Sequence, residues 1–218
     1  RVVGSSGRTD GACVRALCAR ALSRARVHAV SMPERAASSD ALRLGQKLAE
    51  LLGMRLVVEE IAPALEALGC YQRQIETIRT VFPEYGEGWR CKLSLPSLLD
   101  RDRLNITVLT VADPRGNQRS ARMPPAAYLQ IVAATNFKQR TRKMLEYYHA
   151  DLLQYAVAGT PNRLEYDQGF SVKNGDGAAD LKPIANLYKS QVYQLAAYLG
   201  VPEEIQRRTP TTDTYPME

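Results

Sequence analysis

Three short apolar runs alternate with two helical patterns in the first 58 residues, and this alternation constrains the fold more than any other feature of the chain. Apolar runs at residues 1–4, 27–30 and 55–58 have the length of buried strands. Between them, apolar residues recur at helical spacing, and Gly53 ends the second helical segment. Alternating strands and helices with short connections are typical of a parallel sheet covered by helices. The pattern therefore predicts an α/β fold.

The middle of the chain departs from this alternation. Residues 83–101 carry several prolines and glycines and are predicted to be irregular. The segments 105–111 and 118–123 flank a turn that contains glycine and predict a β-hairpin. We therefore interpret residues 83–122 as a helical and β-hairpin insertion in a single domain, residues 1–218, with a doubly wound parallel sheet.

A long helix and a fourth strand complete the predicted sheet. Pro125 is suited to the first position of a helix that reaches about residue 154, because a missing N–H costs little there. Residues 155–159 predict a strand, and residues 190–199 predict a final helix. A right-handed return after a long crossover commonly places the fourth strand beside the first, which gives the order 3-2-1-4. The turns after residues 4 and 159 then emerge side by side, where such sheets bind ligands.

The composition favours a globular protein with anionic partners. Lys and Arg total 29 against 23 Asp and Glu, which gives a net charge of +6. No apolar run approaches the length of a membrane span, and the first residues lack the pattern of a signal peptide. The four cysteines lack metal-binding spacing, which favours reduced thiols and a cytoplasmic location. Basic residues are not interleaved with aromatic ones, so nucleic acid is not the expected partner.

A cluster of charged residues follows the predicted fourth strand. It contains the carboxylates Glu165 and Asp180, the lysines Lys173 and Lys189, and a Gly-Asp-Gly turn at residues 175–177. Carboxylate oxygens are suitable Mg²⁺ ligands, and lysine is a mobile positive charge for phosphate oxygens. The cluster suits a magnesium-bound nucleotide and an anionic substrate, with solvated surface side chains as the alternative.

The turn after the first strand is an altered phosphate loop. In such a loop, backbone N–H groups and the start of a helix face a phosphate. Ser6, Gly7 and Asp10 fit this role, whereas Arg8 brings a Cβ atom and a long side chain, and Gly11 offers no hydroxyl. Arg8 is accommodated only if its backbone angles are ordinary or if its guanidinium contacts the phosphate itself.

In these residues the chain resembles the ammonia-dependent NAD synthetase family, which belongs to the N-type ATP pyrophosphatases. The family's opening motif, Ser-Gly-Gly-aliphatic-Asp-Ser, is altered here at Arg8, Thr9 and Gly11. Later motifs match more completely, and the resemblance covers most of the chain, from Val2 to about Tyr215. The positions that match the family's motifs are Ser6, Gly7, Asp10, Asn136, Arg140, Arg142, Gly159, Thr160, Glu165, Lys173, Gly175, Asp176, Gly177, Asp180, Lys189 and Thr211.

The resemblance implies an adenine nucleotide alpha hydrolase-like, Rossmann-like fold and a reaction in two halves. The pyridine carboxylate of deamido-NAD attacks the α-phosphorus of ATP and releases pyrophosphate, and ammonia then displaces AMP from the acyl-adenylate to form the amide of NAD. ATP and Mg²⁺ are the implied cofactors. The implied assembly is a homodimer whose interface includes the long helix at residues 125–153.

The resemblance also implies a role for each matching residue. Asp10, Lys173 and Lys189 are the expected catalytic residues. The expected ATP contacts are Ser6, Gly7, Thr160, Lys189 and Thr211. The expected deamido-NAD contacts are Arg140, Lys173 and Asp180. Glu165 and Asp10 are the expected magnesium ligands.

Several alternatives stay open on the sequence. The insertion at residues 83–122 can reshape the pocket for a different carboxylate. The altered positions Arg8 and Gly11 are also compatible with a catalytically impaired nucleotide-binding homologue, because one charge-assisted hydrogen bond is worth about 1.5–3 kcal/mol. Lys138 and Lys143 suit either a phosphate site or a solvated or dimer-facing helix surface. His149 is predicted on the helix surface.

Overall fold

The computed structural model describes residues 1–5, 7–35, 39–94, 107–208, 215 and 217. Its first part has the predicted alternation of strands and helices. The elements are β1 (Val2–Ser5), α1 (Thr9–Leu22), a 3-10 turn (Arg24–Arg26), β2 (His28–Ser31), α2 (Ser39–Leu52) and β3 (Leu56–Val58). The strands pair in parallel in the order β1-β2-β3. This confirms the α/β class that the sequence predicted.

The segment predicted as a fourth strand lies beside β1 but forms isolated bridges. The Val2 N–H donates to the Ala156 carbonyl at 3.0 Å, and the Ala158 N–H donates to the Val2 carbonyl at 2.9 Å. The predicted order 3-2-1-4 is therefore found, in a shorter form. On the other edge of this segment, Ala158 forms an isolated parallel bridge with Leu181, and the Val157 N–H donates to the Asp180 carboxylate at 2.7 Å rather than to a backbone carbonyl.

The chain divides into two compact units. One unit comprises Arg1–Pro63 and Gln139–Pro210, and the other comprises Ala64–Lys138 and Thr211–Glu218. The single domain over residues 1–218 stays a prediction. The core of the first unit is an apolar cluster between the sheet and its helices, and its buried members include Val3, Ala12, Val14, Ala29, Leu48, Ala158, Ile184, Val192, Ala196 and Ile205.

The second unit contains the predicted hairpin and one strand that the sequence did not reveal. Its elements include α4 (Cys70–Arg79), β4 (Arg90–Ser94), β5 (Val108–Ala112) and β6 (Gln118–Arg122), which follow α3 (Ala62–Ala67). The three strands form an antiparallel sheet in the order β4-β5-β6. The prediction of irregular structure is wrong for Arg90–Ser94, because Cys91 is buried and pairs with Val111.

The remaining helices are α5 (Pro125–Leu153), α6 (Arg163–Asp167), α7 (Lys189–Tyr198) and α8 (Glu203–Gln206). Helix α5 begins at Pro125, and α7 corresponds to the predicted final helix. Among the described residues, no helix is long and apolar enough to cross a membrane.

His28, at the start of β2, makes the stability of the fold depend on pH. Its ring centroid lies 4.9 Å from that of His149, which contacts Glu59 Oε1 at 2.5 Å. Burial, followed by the charges of His149 and Arg55, lowers the pKa of His28. Below about pH 6.5 the unfolded chain therefore binds a proton that folded His28 resists, so the free energy of unfolding falls as pH falls.

We expect His28→Gln to flatten the pH dependence of unfolding. Urea denaturation at intervals from about pH 8 to pH 5.5 measures this, and the upper limit is a control because His28 is neutral there in both states. An unchanged slope below about pH 6.5 in the variant would contradict the assignment.

Candidate active site

Three charged side chains from three helices meet beyond the carboxyl end of β1. Asp10 lies in the first turn of α1, Glu165 in α6, and Lys189 at the start of α7. Lys189 Nζ donates to Asp10 Oδ2 in a direct ion pair. Burial is the main reason that the pKa of Glu165 is raised, and the charge of Asp10 adds to this, whereas that of Lys189 opposes it. The three groups therefore act on one another electrostatically.

Asp10 and Glu165 fit the requirements of Mg²⁺. Asp10 Oδ1 is buried and has no hydrogen-bond partner among the described residues. Because an unsatisfied buried oxygen is costly, a cation beside it would compensate a real deficit. The described part of the chain contains no group of three His, Cys, Asp or Glu residues placed to hold a metal ion. Two carboxylates completed by phosphate oxygens and water are the common form of a Mg²⁺ site.

Asn162 fixes the backbone that carries Glu165. Its Oδ1 accepts from the Leu164 and Glu165 N–H groups at 3.1 and 3.2 Å, and Glu165 Oε2 accepts from the Asn162 N–H at 2.9 Å. This reciprocal capping box begins α6, a helix of five residues that depends on such a cap. The Asn-x-x-Glu spacing is visible in the sequence, and it is the signal by which Asn162 can be recognised as a site residue.

We expect Asn162→Ala to lower the free energy of unfolding by about 1 kcal/mol, because α6 loses its N-terminal cap. Chemical denaturation of the parent and the variant measures the difference. Asn162→Ser is the matched control, since a serine hydroxyl also accepts from the backbone N–H groups. Equal losses in the two variants would show that the cap is not the cause.

Gly7 and Arg8 have the backbone geometry that an altered phosphate loop requires. Gly7 has a φ of 66°, and a Cβ atom there would lie 2.7 Å from the Ala41 carbonyl oxygen. Arg8 has ordinary extended angles, with φ −107° and ψ 159°. The first of the two conditions set by the sequence for Arg8 is therefore met, and its presence does not strain the backbone. Ser6 and Thr211, predicted ATP contacts, lie outside the described residues.

The two other altered loop positions are also accommodated within the fold. Thr9 is buried, and its hydroxyl donates to the Ile205 carbonyl at 3.2 Å. Gly11 is buried one turn before Arg15, whose guanidinium donates to the carbonyls of Gly11 and Gly45, both at 3.4 Å. The first two turns of α1 are thus held by contacts to α8 and α2.

Lys173 lies in an exposed turn that is hydrogen-bonded to α5. Arg140 Nε donates to the Lys173 carbonyl at 3.2 Å, and the Val172 N–H donates to Asp176 Oδ1 at 2.8 Å. Arg140 therefore positions the turn on which Lys173 is carried. The predicted contact of Arg140 with deamido-NAD stays a prediction, as does the role of Lys173.

Asp180 anchors the segment beside β1. Its Oδ2 accepts from the Val157 N–H at 2.7 Å, and its Oδ1 accepts from the Tyr147 hydroxyl at 3.3 Å. Burial first, and then the charge of Asp180, raise the pKa of Tyr147. Asp180 is exposed as a residue, so its predicted contact with a substrate stays a prediction beside this structural role. Thr160 is half-buried between Gly159 and the cap at Asn162.

Helix α5 contributes charged residues that the sequence interpretation placed differently. Lys138 and Lys143 are buried, so a solvated surface position is wrong for both, and His149 is buried as well. Lys143 Nζ lies 2.5 Å from Glu146 Oε2. The helical spacing from Lys143 to Glu146 was the available signal, but charged side chains predict exposure unless a buried partner is anticipated.

Comparisons with known proteins identify the family of this chain. Residues 1–81 and 104–217 match a family model described as NAD synthase. The chain is 62% identical over 216 residues to the NH(3)-dependent NAD(+) synthetase of Mesorhizobium japonicum, covering 99% of this chain and 68% of that protein. It is 58% identical over 217 residues to the protein of the same name from Rhizobium meliloti, covering 100% and 65%. The chain thus spans about two thirds of the length of these relatives.

Solved structures show the same fold. The NH3-dependent NAD synthetase from Campylobacter jejuni superposes with a TM-score of 0.63 at 26% identity, covering 98% of this chain and 69% of that one. The NMN synthetase from Francisella tularensis has a TM-score of 0.66 at 24% identity and covers 98% and 67%. The family model matches nearly the whole chain and the sequence relatives share most of its residues, so the chain belongs to the NAD synthase family.

Proposed function

We propose that this chain catalyses the ATP-dependent amidation of deamido-NAD by ammonia. The observation that carries the proposal is the meeting of Asp10, Glu165 and Lys189 beyond the end of β1, at the edge where parallel sheets bind ligands. The relatives at 62% and 58% identity are named NH(3)-dependent NAD(+) synthetases, which supports the same reaction.

In the first half-reaction, a carboxylate oxygen of deamido-NAD bonds to the α-phosphorus of ATP, and the bond to pyrophosphate breaks. Negative charge collects on the leaving group, so catalysis is mainly positioning and charge neutralisation. Asp10 and Glu165 would hold Mg²⁺, which would neutralise charge on the phosphates. Lys189 supplies a positive charge beside both carboxylates, and this charge allows a polyanion to bind there.

In the second half-reaction, ammonia bonds to the acyl carbon, and AMP leaves with the electrons of the broken carbon–oxygen bond. The nitrogen loses one proton, and the product is the amide of NAD. Arg140 positions the turn of Lys173, and Asp180 fixes the segment beside β1, so that residues around the dinucleotide are held before this step. Positioning of two reactants is itself a major source of rate enhancement.

The direct test is incubation with deamido-NAD, ATP, Mg²⁺ and ammonium, with detection of NAD, AMP and pyrophosphate. Equal amounts of the three products are expected. Pyrophosphate exchange with a different carboxylate, without NAD, would favour another acid substrate. Binding of ATP–Mg²⁺ without any product would identify a nucleotide-binding homologue, and either result would contradict the proposal.

We also propose that the functional unit is a homodimer formed through α5. Met144, Tyr148 and Leu152 are 61%, 57% and 66% exposed and follow one another at intervals of four, which makes an apolar stripe on the outer face of the helix. A two-fold axis would pair this stripe with its copy. Analytical ultracentrifugation should show a dimer for the parent and a monomer for Tyr148→Glu, whereas two monomeric samples would refute the assignment.

A further inference from the structure

A pair of opposite charges lies buried on α5, against the end of β1. Lys143 and Glu146 of α5 are 6% and 8% exposed, and Lys143 Nζ lies 2.5 Å from Glu146 Oε2. Burial raises the pKa of Glu146, and the charge of Lys143 opposes this effect. Because desolvation offsets most of the attraction, a buried ion pair is often no more stabilising than apolar side chains of similar volume. The pair therefore calls for a reason other than stability.

The second oxygen of the Glu146 carboxylate lies against the backbone of β1. A Cβ atom built on Gly4 would be 2.5 Å from Glu146 Oε1 and 3.3 Å from its carboxyl carbon. Gly4 is not among the glycines with positive φ, so it is required here for close approach rather than for backbone conformation. Gly4 and Ser5 end β1, and the altered phosphate loop follows directly. The carboxylate thus contacts the strand at the point where it delivers the loop.

Neighbouring side chains of α5 hold two other segments of the site. Arg142 Nε donates to the Met32 carbonyl at 3.3 Å, just after β2, and Arg140 Nε donates to the Lys173 carbonyl at 3.2 Å. Residues 140–146 therefore contact the end of β1, the end of β2 and the Lys173 turn. Glu146 is the member of this set that lies against β1, and Lys143 holds its carboxylate in place.

We infer that Lys143 and Glu146 are a positioning pair that fixes the end of β1, and with it the altered phosphate loop, for binding of ATP. This inference rests on the proposed function for its ligand. It extends the machinery to residues that touch no substrate and act through the backbone of Gly4. It also accounts for the glycine at that position and for the burial of two charges where apolar side chains would be sufficient for packing.

The test replaces the pair by apolar side chains of similar volume, Lys143→Met with Glu146→Leu. We expect the unfolding temperature to be unchanged or higher, whereas the Kd for ATP–Mg²⁺ by calorimetry rises about tenfold because the loop is no longer held in register. Amide exchange should increase in a peptide covering residues 3–12. The matched control removes the exposed pair between Glu203, the first residue of α8, and Arg207, which follows α8, by Glu203→Gln with Arg207→Gln, and should change none of these quantities.

A second pair of variants isolates the contact with Gly4. Gly4→Ala should weaken ATP–Mg²⁺ binding in the parent and do so much less in a Glu146→Ala background, because the smaller side chain leaves room for the added methyl group. Equal effects in both backgrounds would overturn the inference. The inference would also be overturned if the Lys143→Met/Glu146→Leu variant kept the Kd and the amide exchange of the parent. It would be overturned as well if the variant were destabilised as a whole, with a lower unfolding temperature. If the parent fails to bind ATP–Mg²⁺, the proposed function fails, while amide exchange still decides the positioning role.

Discussion

Lys189→Met is expected to reduce the rate of NAD formation roughly 100-fold while the protein stays folded, because one charge-assisted contact is worth about 1.5–3 kcal/mol and each 1.4 kcal/mol is a factor of ten. In the parent, the Lys189 ammonium bonds to Asp10, and its charge opposes the rise that burial causes in the pKa of nearby Glu165. Without it, two carboxylates face the phosphates of ATP with no compensating charge from this lysine. Both the binding of ATP and the stabilisation of the leaving pyrophosphate should suffer.

Steady-state kinetics with varied ATP and fixed deamido-NAD measures the loss. Lys47→Met is the matched control, since Lys47 is an exposed lysine paired with Glu204 on the surface, and such pairs contribute little. Circular dichroism and the unfolding temperature confirm that the fold is retained. If the rate of NAD formation by Lys189→Met stays within about threefold of the parent rate, Lys189 does not act on the phosphates, because even one neutral hydrogen bond contributes a factor of about three.

The convergence of Asp10, Glu165 and Lys189 could be predicted from the sequence because it follows from topology. Parallel strands deliver their connecting loops to one edge, so residues that follow β1 and residues that follow the segment beside it must meet there. Gly7 could be predicted for a related reason, since a tight turn between a strand and a helix requires a positive φ. Neither conclusion depends on the details of side-chain packing.

The buried charges could not be predicted in the same way. The charges of Lys138 and Lys143 indicate solvent, whereas Lys143 is buried with Glu146, which α5 supplies one turn later, and Gly4 leaves room for that carboxylate. Strand β4 was missed because only two of its five residues, Cys91 and Leu93, are apolar, a pattern too short to separate from a loop. Likewise, the sequence gave no signal that the Asp180 carboxylate would accept the Val157 N–H in place of a backbone carbonyl.

The matching family model covers residues 1–81 and 104–217, so the unmatched stretch falls almost entirely within the predicted insertion at residues 83–122. The hairpin β5–β6 lies inside the matched part and is therefore shared with the family. The segment that includes β4 lies outside the match to the family model.

Gly159→Ala is expected to destabilise the protein by about 1–3 kcal/mol, the usual cost of overpacking a filled core. The new Cβ atom would lie 2.7 Å from the Cβ of Ala179, and neither atom can rotate away because each is bonded directly to the main chain. The Gly159 N–H also donates to the Leu181 carbonyl at 2.8 Å, so the backbone has little freedom to withdraw. Displacement here would carry Thr160 and the cap at Asn162 with it, so NAD formation should fall along with stability.

Urea denaturation measures the loss, and Ala179→Gly should restore most of it in the double variant, because it removes the atom that the new methyl group strikes. If Gly159→Ala and Ala179→Gly instead add independently, the contact between these two positions is not the reason that residue 159 must be glycine.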